Sequence, residues 1–250
     1  MPAPQTHFLI ARETLNRFPP NIQDKLQPHL SLYFFGAQGA DFCFFYPPTS
    51  GFSKNFGSYL HRKGGYGAFG VCKAFSTQPS LFAYSLGYIT HYATDTVFHP
   101  FIYQTAGRST FRHRRIESAF DAFFKTHLPQ EHETADFACP KLSTREKNDL
   151  FLLYAAISAR VGFPPLDKKA FYRAVSLFNA YLPLSSRSLR KKNVALVSTL
   201  APKANLFFER AVRRAISVSA EFCNALKKNT PLSYEVFGKS YLSDELTRLE

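Results

Sequence analysis

The stretch GYITHYATDTVFHP, residues 87–100, decides how the rest of the chain is interpreted. It places His91, Asp95 and His99 four residues apart, with no other charged side chain in the window. Residues at steps of four lie on one face of a helix. They are either three polar groups satisfied separately in a core or ligands that converge on a cation. Because Pro100 disfavours helical geometry at the residue before it, we predict that the helix ends at His99.

A second set of polar side chains has the same spacing downstream. The sequence HRRIESAFD puts His113, Glu117 and Asp121 at steps of four. Taken alone, this pattern is explained by a solvated helix face with polar contacts between neighbouring turns. Taken with the first set, it supplies the mixture of imidazole and carboxylate that is typical of catalytic zinc. We assign Asp121 to the helix surface.

Three more candidates precede these sets. His7 lies in the first predicted helix, and His61 lies just before the glycine-rich break GGYG. Asp41 lies in GAQGADFCFFY, where a carboxylate among aromatic and cysteine side chains is costly to bury without a partner. That partner is an arginine, a backbone turn or a metal ion.

Hydrophobic periodicity is helical along nearly the whole chain. No alternating pattern is long enough to indicate a strand, so we predict an all-α fold, with Thr6 as the N-cap of the first helix. The predicted helices cover residues 6–18, 82–98, 114–128, 144–162, 167–182 and 204–228.

Composition limits the classes of protein that remain open. At 250 residues, with a hydrophobic fraction of 45%, the chain forms one large domain or two small ones with an ample core. Its first residues do not have the pattern of a secretory signal. Its longest uncharged apolar run, at 150–159, is too short to span a bilayer. We therefore predict a cytoplasmic protein.

The formal net charge of +13 bears on the partners of the protein. It serves solubility, or it attracts anionic lipid, nucleic acid or phosphorylated substrates. Basic residues cluster at 112–115, 185–193 and 209–214, without a recognisable nucleic-acid-binding motif. Charge alone therefore identifies no partner.

The candidate residues occur in an order that resembles one known family. That order is His7, Asp41, His61, His91–x3–Asp95, His99 and His113–x3–Glu117. It is similar to the zinc-dependent phospholipases C, which include secreted bacterial phosphatidylcholine-hydrolysing enzymes and clostridial α-toxins. It looks most like their shorter, leaderless bacterial relatives. The motifs cover roughly residues 5–125, and the remainder agrees in length and helical character.

The resemblance implies an all-helical domain that holds up to three zinc ions in a cleft. It implies one ion bound by Asp41, His61, His91 and Asp95, a second bound by His99, His113 and Glu117, and a third bound by His7 with Asp95 as a bridge. Secreted members supply an N-terminal tryptophan to the third ion, whereas this chain has no tryptophan and begins with Met1 and Pro2. We predict two zinc ions and leave the third open.

The resemblance also implies hydrolysis of a phosphodiester by a metal-activated water. Asp41 matches the carboxylate that acts as general base or orients the water, and it is alternatively a ligand only. The predicted substrate is a phospholipid cleaved at its head group, with an anionic membrane surface as a candidate partner. The alternatives are a single-strand nuclease-like phosphodiesterase acting on nucleic acid and a non-catalytic zinc-binding relative.

We expect one domain over residues 1–250, of the type that zinc-dependent phospholipases C share with zinc nucleases. All eight histidines fall at or before residue 132. The metal site is therefore expected within about residues 1–125, and residues 144–250 are expected to form a helical scaffold.

Overall fold

A computed structural model describes residues 4–46, 53–63, 65–127, 142–187 and 194–238. Within these ranges the chain forms helices and no strand, which confirms the predicted all-α class. Two short 3-10 turns, Gln27–His29 and Asp41–Phe45, lie between helices. The helices are α1 (Pro4–Arg17), α2 (Pro20–Leu26), α3 (Leu30–Gly36), α4 (Ser53–Arg62), α5 (Gly65–Phe75), α6 (Pro79–Ala106), α7 (Thr110–His127), α8 (Thr144–Arg160), α9 (Lys168–Arg187), α10 (Val194–Lys227) and α11 (Tyr234–Phe237).

Helix α6 is the central element of the fold. Every residue from Leu81 to Thr96 is buried, as expected for a helix that is apolar on all sides. Helices α3 and α10 pack along it, and the Arg214 side chain of α10 donates a hydrogen bond of 2.7 Å to the Thr96 hydroxyl. The stretch that carries the polar series is therefore surrounded by other helices.

Two glycines allow α3 and α6 to cross at unusually close range. A methyl group on Gly36 would overlap the carbonyl oxygen of Tyr84, and a methyl group on Gly87 would overlap that of Tyr33. Small residues at a crossing let the two backbones approach each other directly. This crossing brings the chain that follows α3, which leads to Asp41, against the middle of α6.

The prediction that this helix ends at His99 is wrong, because α6 continues through Pro100 to Ala106. A proline ring fits the helical φ angle, and its cost is the lost backbone hydrogen bond and crowding of the preceding turn. Burial of Ile102 and Ala106 opposes that cost, and the Phe101 ring packs 5.4 Å from that of Phe207. Tertiary packing therefore overrides the local preference, and His99 stays in the helical series.

The predictions for Thr6, in α1, and for Asp121, in α7, are also wrong. Thr6 lies inside α1 rather than capping it, and Asp121 is buried rather than on the helix surface. The backbone N–H and the hydroxyl of Thr6 donate to Asp121 Oδ1 at 2.8 and 2.7 Å, and the Gln5 N–H donates to Oδ2 at 3.3 Å. Helix α7 thus delivers a carboxylate to the free N–H groups at a helix N-terminus. This contact fixes the backbone beside His7.

Helix α8 helps to position the turn before Asp41. Its N-terminus has a capping box between Ser143 and Glu146. The hydroxyls of Tyr154, on α8, and Tyr84, on α6, lie 2.6 Å apart, and both lie within 3.4 Å of the Gly39 carbonyl oxygen.

In the part of the chain that the structure describes, no helix has the length and apolar character needed to cross a membrane. The cytoplasmic location stays a prediction.

Candidate metal centre

Asp95, in the middle of α6, gathers imidazoles from two helices. Its Oδ2 lies 3.2 Å from His91 Nε2, one turn earlier. Its Oδ1 lies 3.2 Å from His7 Nε2, on α1, and 3.7 Å from His99 Nε2, one turn later. The polar groups of the series converge on one point, which favours the second of the two interpretations of residues 87–100.

Asp41, His61 and His91 form what we call the inner group, whose ligand atoms all lie within 4.8 Å of one another. His61 Nε2 lies 3.1 Å from Asp41 Oδ1 and 3.4 Å from His91 Nε2. The Nδ1–H of His61 donates to the Gly57 carbonyl at 2.6 Å. Because a carbonyl oxygen only accepts, this bond places a proton on Nδ1, and Nε2 is the ring nitrogen that faces Asp41 and His91.

Gly39 makes the inner group sterically feasible. It has a φ of +57°, in the left-handed region, and a Cβ atom there would overlap the imidazole of His91. Only glycine meets both requirements at low cost. The backbone of residue 39 therefore packs directly on the His91 ring, two residues before Asp41.

His99, His113 and Glu117 form what we call the outer group, and their ligand atoms also lie within 4.8 Å of one another. Glu117 Oε1 lies 2.9 Å from His113 Nε2, one turn earlier on α7, and 3.4 Å from His99 Nε2. A third set, His7, His91 and Asp95, lies between the two groups. The structure thus brings together all eight residues predicted as metal ligands, and their role as ligands stays a prediction.

Two carboxylates of the cluster, Glu117 and Asp95, are held in the ionised form. Burial acts to raise the pKa of Glu117, but hydrogen bonds from His113 and His99 lower it to about 2. Burial likewise acts to raise the pKa of Asp95, but His99, His91 and His7 hold it well below its usual range. Both groups therefore offer negative charge to a cation at neutral pH.

Burial and neighbouring charges shift the pKa values of His61, His91 and His99 in two different directions. Burial lowers the pKa of His91 to about 4, so this ring is neutral at neutral pH. Burial also acts to lower the pKa values of His61 and His99, but neighbouring carboxylates outweigh it and leave both raised. A metal ion would therefore displace protons from these two rings.

The donor set fits zinc. Two ligands about 2.1 Å from a tetrahedral ion stand about 3.4 Å apart, and the pairs above lie at similar separations. Asp41 Oδ2 is buried and accepts no hydrogen bond, which is costly unless a cation or water lies beside it. A cavity of about 20 Å³ adjoins His7, Asp95, His99 and Glu117. The site therefore combines a buried carboxylate oxygen that accepts no hydrogen bond with a small cavity beside four of the predicted ligands.

Sequence reasoning missed Tyr103, which extends the series 91, 95, 99 by one more step of four. Its ring centroid lies 5.5 Å from that of His99 and 4.8 Å from that of His113. Burial raises the pKa of Tyr103, Asp95 adds to the rise, and Arg62 opposes it. The helical spacing itself was the available signal.

Tyr181, on α9, packs against the turn that carries Asp41, and no spacing in the sequence indicated it. Its ring lies 5.3 Å from that of Phe45, in the 3-10 turn that begins with Asp41. Burial raises the pKa of Tyr181, the charges of Asp121 and Glu117 add to the rise, and Arg114 opposes it.

Comparison with known proteins agrees with this site. The model of the zinc dependent phospholipase C family matches residues 6–161, more than half of the chain. The chain therefore belongs to the zinc-dependent phospholipase C family, whose members are zinc phosphodiesterases. No curated protein and no solved structure matches it.

Proposed function

We propose that this protein is a zinc-dependent phosphodiesterase of the phospholipase C type. It would hydrolyse a phospholipid between the glycerol and the phosphate, releasing diacylglycerol and a phosphorylated head group. The observation that carries the proposal is the convergence of five histidines and three carboxylates, from four helices and one turn, on a buried centre. Family membership supports the class of reaction.

The proposed ligands divide as the geometry does. The inner group with Asp95 would hold one zinc ion, and the outer group would hold a second. His7 lies 3.2 Å from Asp95 and would serve a third, if a third is bound. When bound, zinc neutralises developing charge on a phosphodiester and lowers the pKa of water from 15.7 to about 7.

We assign the water-orienting role to Asp41. Its Oδ1 is paired with His61, whereas its buried Oδ2 accepts no hydrogen bond. Oδ2 would therefore accept a hydrogen bond from the attacking water, and a proton if that water is deprotonated. The alternative is that Asp41 is a ligand only.

The variant Asp41→Asn separates these roles. If Oδ1 binds zinc and Oδ2 orients the water, the amide oxygen of the variant can still serve as the ligand, so the variant keeps most of its zinc and loses turnover on the order of a hundredfold or more. If Asp41 acts only as a ligand, zinc affinity and turnover fall together. Elemental analysis and kcat, measured on the same preparation, decide between the two.

We also propose that residues 1–250 act as one domain, with the second half as scaffold. The supporting contacts join the halves close to the site. The Arg214 side chain donates a hydrogen bond to the Thr96 hydroxyl. The hydroxyls of Tyr154 and Tyr84 lie 2.6 Å apart, and both lie within 3.4 Å of the Gly39 carbonyl oxygen. The net charge of +13 suits an anionic membrane surface as the place where the substrate is met.

The test of the proposed function is a product analysis. The zinc-loaded protein is incubated with phospholipid in mixed micelles and, separately, with single-stranded DNA. The proposal expects diacylglycerol and a phosphorylated head group, with at least a hundredfold less activity in the Asp95→Asn variant. Nucleotide release without diacylglycerol would support the nuclease alternative. No turnover of either substrate by zinc-loaded protein would support a non-catalytic zinc protein.

A further inference from the structure

Two arginines directly follow two of the residues proposed to bind zinc. Arg62 follows His61 at the end of α4, and Arg114 follows His113 in α7. Consecutive residues on a helix differ by about 100°, so each arginine lies beside the face that its histidine presents to the centre. Both arginines are exposed, whereas the histidines are partly covered. The charges therefore lie at the outer edge of the site.

Two half-buried tyrosines border the elements that carry the centre. The Tyr103 ring lies 4.8 Å from that of His113, and the Tyr181 ring lies 5.3 Å from that of Phe45. Arg62 and the carboxylate of Asp95 both act on the Tyr103 hydroxyl. Arg114 and the carboxylate of Glu117 both act on the Tyr181 hydroxyl. We call Arg62, Tyr103, Arg114 and Tyr181 the rim.

The rim lacks the groups that bind a quaternary ammonium. Such a cation binds over open aromatic faces and beside carboxylates. The Tyr103 ring is packed against His99 and His113, and the Tyr181 ring is packed against Phe45. The carboxylates of the centre each lie within 3.2 Å of an imidazole: Asp41 of His61, Asp95 of His7 and Glu117 of His113. Asp121 accepts hydrogen bonds from Thr6. Within the rim itself, the charged groups are the two arginines.

Resting on the proposed function, we infer that the rim selects phospholipids of net negative charge and excludes head groups that carry a quaternary ammonium. The two guanidinium groups attract an uncompensated phosphodiester and repel a choline group linked to that phosphate. Phosphatidylglycerol is a substrate of the first kind, and phosphatidylcholine is one of the second kind. The class of substrate is thus a net anionic glycerophospholipid.

The test uses dihexanoyl phosphatidylglycerol and dihexanoyl phosphatidylcholine as monomers, below their micelle-forming concentrations. Monomers remove the general attraction of a basic protein to an anionic membrane. The quantity measured is the ratio of kcat/KM for the glycerol lipid to kcat/KM for the choline lipid. We expect a ratio of about ten or more for the zinc-loaded protein, the size of effect expected from one or two nearby charges.

The variants separate charge from structure. The double variant Arg62→Gln with Arg114→Gln is expected to bring the ratio close to one, with unchanged zinc content. The double lysine variant keeps the charges and should keep the preference. Arg115→Gln is the matched control, because Arg115 is an exposed arginine of α7 whose guanidinium lies 5.8 Å from the Phe111 ring centroid.

The outcomes are distinct. Preference for the choline lipid, or a ratio that the double glutamine variant leaves unchanged, would overturn the inference and leave the proposed function standing. Absence of zinc-dependent cleavage of both lipids would overturn the proposed function, and the inference with it.

Discussion

The inner and outer groups are built in different ways. The inner group joins a turn, the end of one helix and the middle of another, and it depends on a glycine of positive φ that packs on His91. The outer group joins two helices, and its closest pair, His113 and Glu117, is set by the spacing of a single helix. Asp95 lies between the groups. The inner group therefore depends on the path of the backbone, and the outer group depends on helix register.

Removing the charge of Asp95, which lies between the groups, should have the largest effect. In Asp95→Asn the charge opposite His7, His91 and His99 is lost, so both groups should lose zinc affinity. We expect phosphodiesterase activity to fall on the order of a thousandfold. The measurement is turnover at saturating zinc. Activity within tenfold of the unmodified protein would mean that Asp95 does not link the groups.

Gly39→Ala should damage the inner group alone. The new methyl group would meet the His91 ring from a backbone of positive φ, at a cost of about 2 kcal/mol or more in unfolding free energy. We expect a lower Tm and weaker zinc binding at the inner group, with the outer group retained. The checks are thermal unfolding and competition with a chelator.

Gly70→Ala is the control for that substitution. Gly70 lies within α5, and a Cβ atom there would meet nothing within 4 Å. The same change in a helix interior should stabilise the protein by about 0.5 to 1 kcal/mol. Equal effects of the two substitutions would contradict the role given to Gly39.

Acid should weaken both groups, because each contains one histidine of raised pKa, His61 in the inner group and His99 in the outer. Protons compete with zinc for these rings, so zinc affinity should fall as the pH drops from 8 to 6. His91, with a pKa of about 4, should not contribute in that range. Calorimetric titration in buffers of different ionisation enthalpy should detect proton release on zinc binding. Zinc binding without proton release would contradict this account.

The smallest expected effect concerns Asp121, which holds the start of α1 and thus His7 between the groups. Burial raises the pKa of Asp121 from 3.8 to about 7. A raised folded pKa contributes stability that is full below pH 3.8 and is lost as the pH rises through about 7. The cost of Asp121→Asn should therefore be largest at about pH 4 and below, at about 1 kcal/mol, and smaller at pH 8. Urea unfolding at both pH values measures it, and a cost that grows with pH would show the opposite linkage.

The sequence predicted contacts well where the side chains involved belong to a single helix. The steps of four between His91, Asp95 and His99, and between His113 and Glu117, correctly predicted which side chains would meet. The same spacing was misleading for Asp121, because spacing gives the face of a helix but not the neighbour that covers it. Residues of the inner group are far apart in the chain, so only the family resemblance related Asp41 and His61 to α6.

Other features depend on packing that no local pattern records. Pro100 locally favours a helix end, but the buried residues beyond it keep α6 continuous. Tyr103 could have been found by extending the series one step. Tyr181 lies on a helix far along the chain and could not have been found in that way.

The first measurement to make is the number of zinc ions per chain, by elemental analysis of protein purified without chelator. We predict two or three equivalents in the unmodified protein, a reduced but measurable content in Glu117→Gln, and almost none in the double variant His91→Ala with Asp95→Ala. The single variant removes a proposed ligand from the outer group only. The double variant removes His91 from the inner group and also removes Asp95, which lies beside His99 of the outer group. Absence of zinc from the unmodified protein, under conditions that load it into other zinc enzymes, would contradict the account and leave α6 a core helix with buried polar pairs.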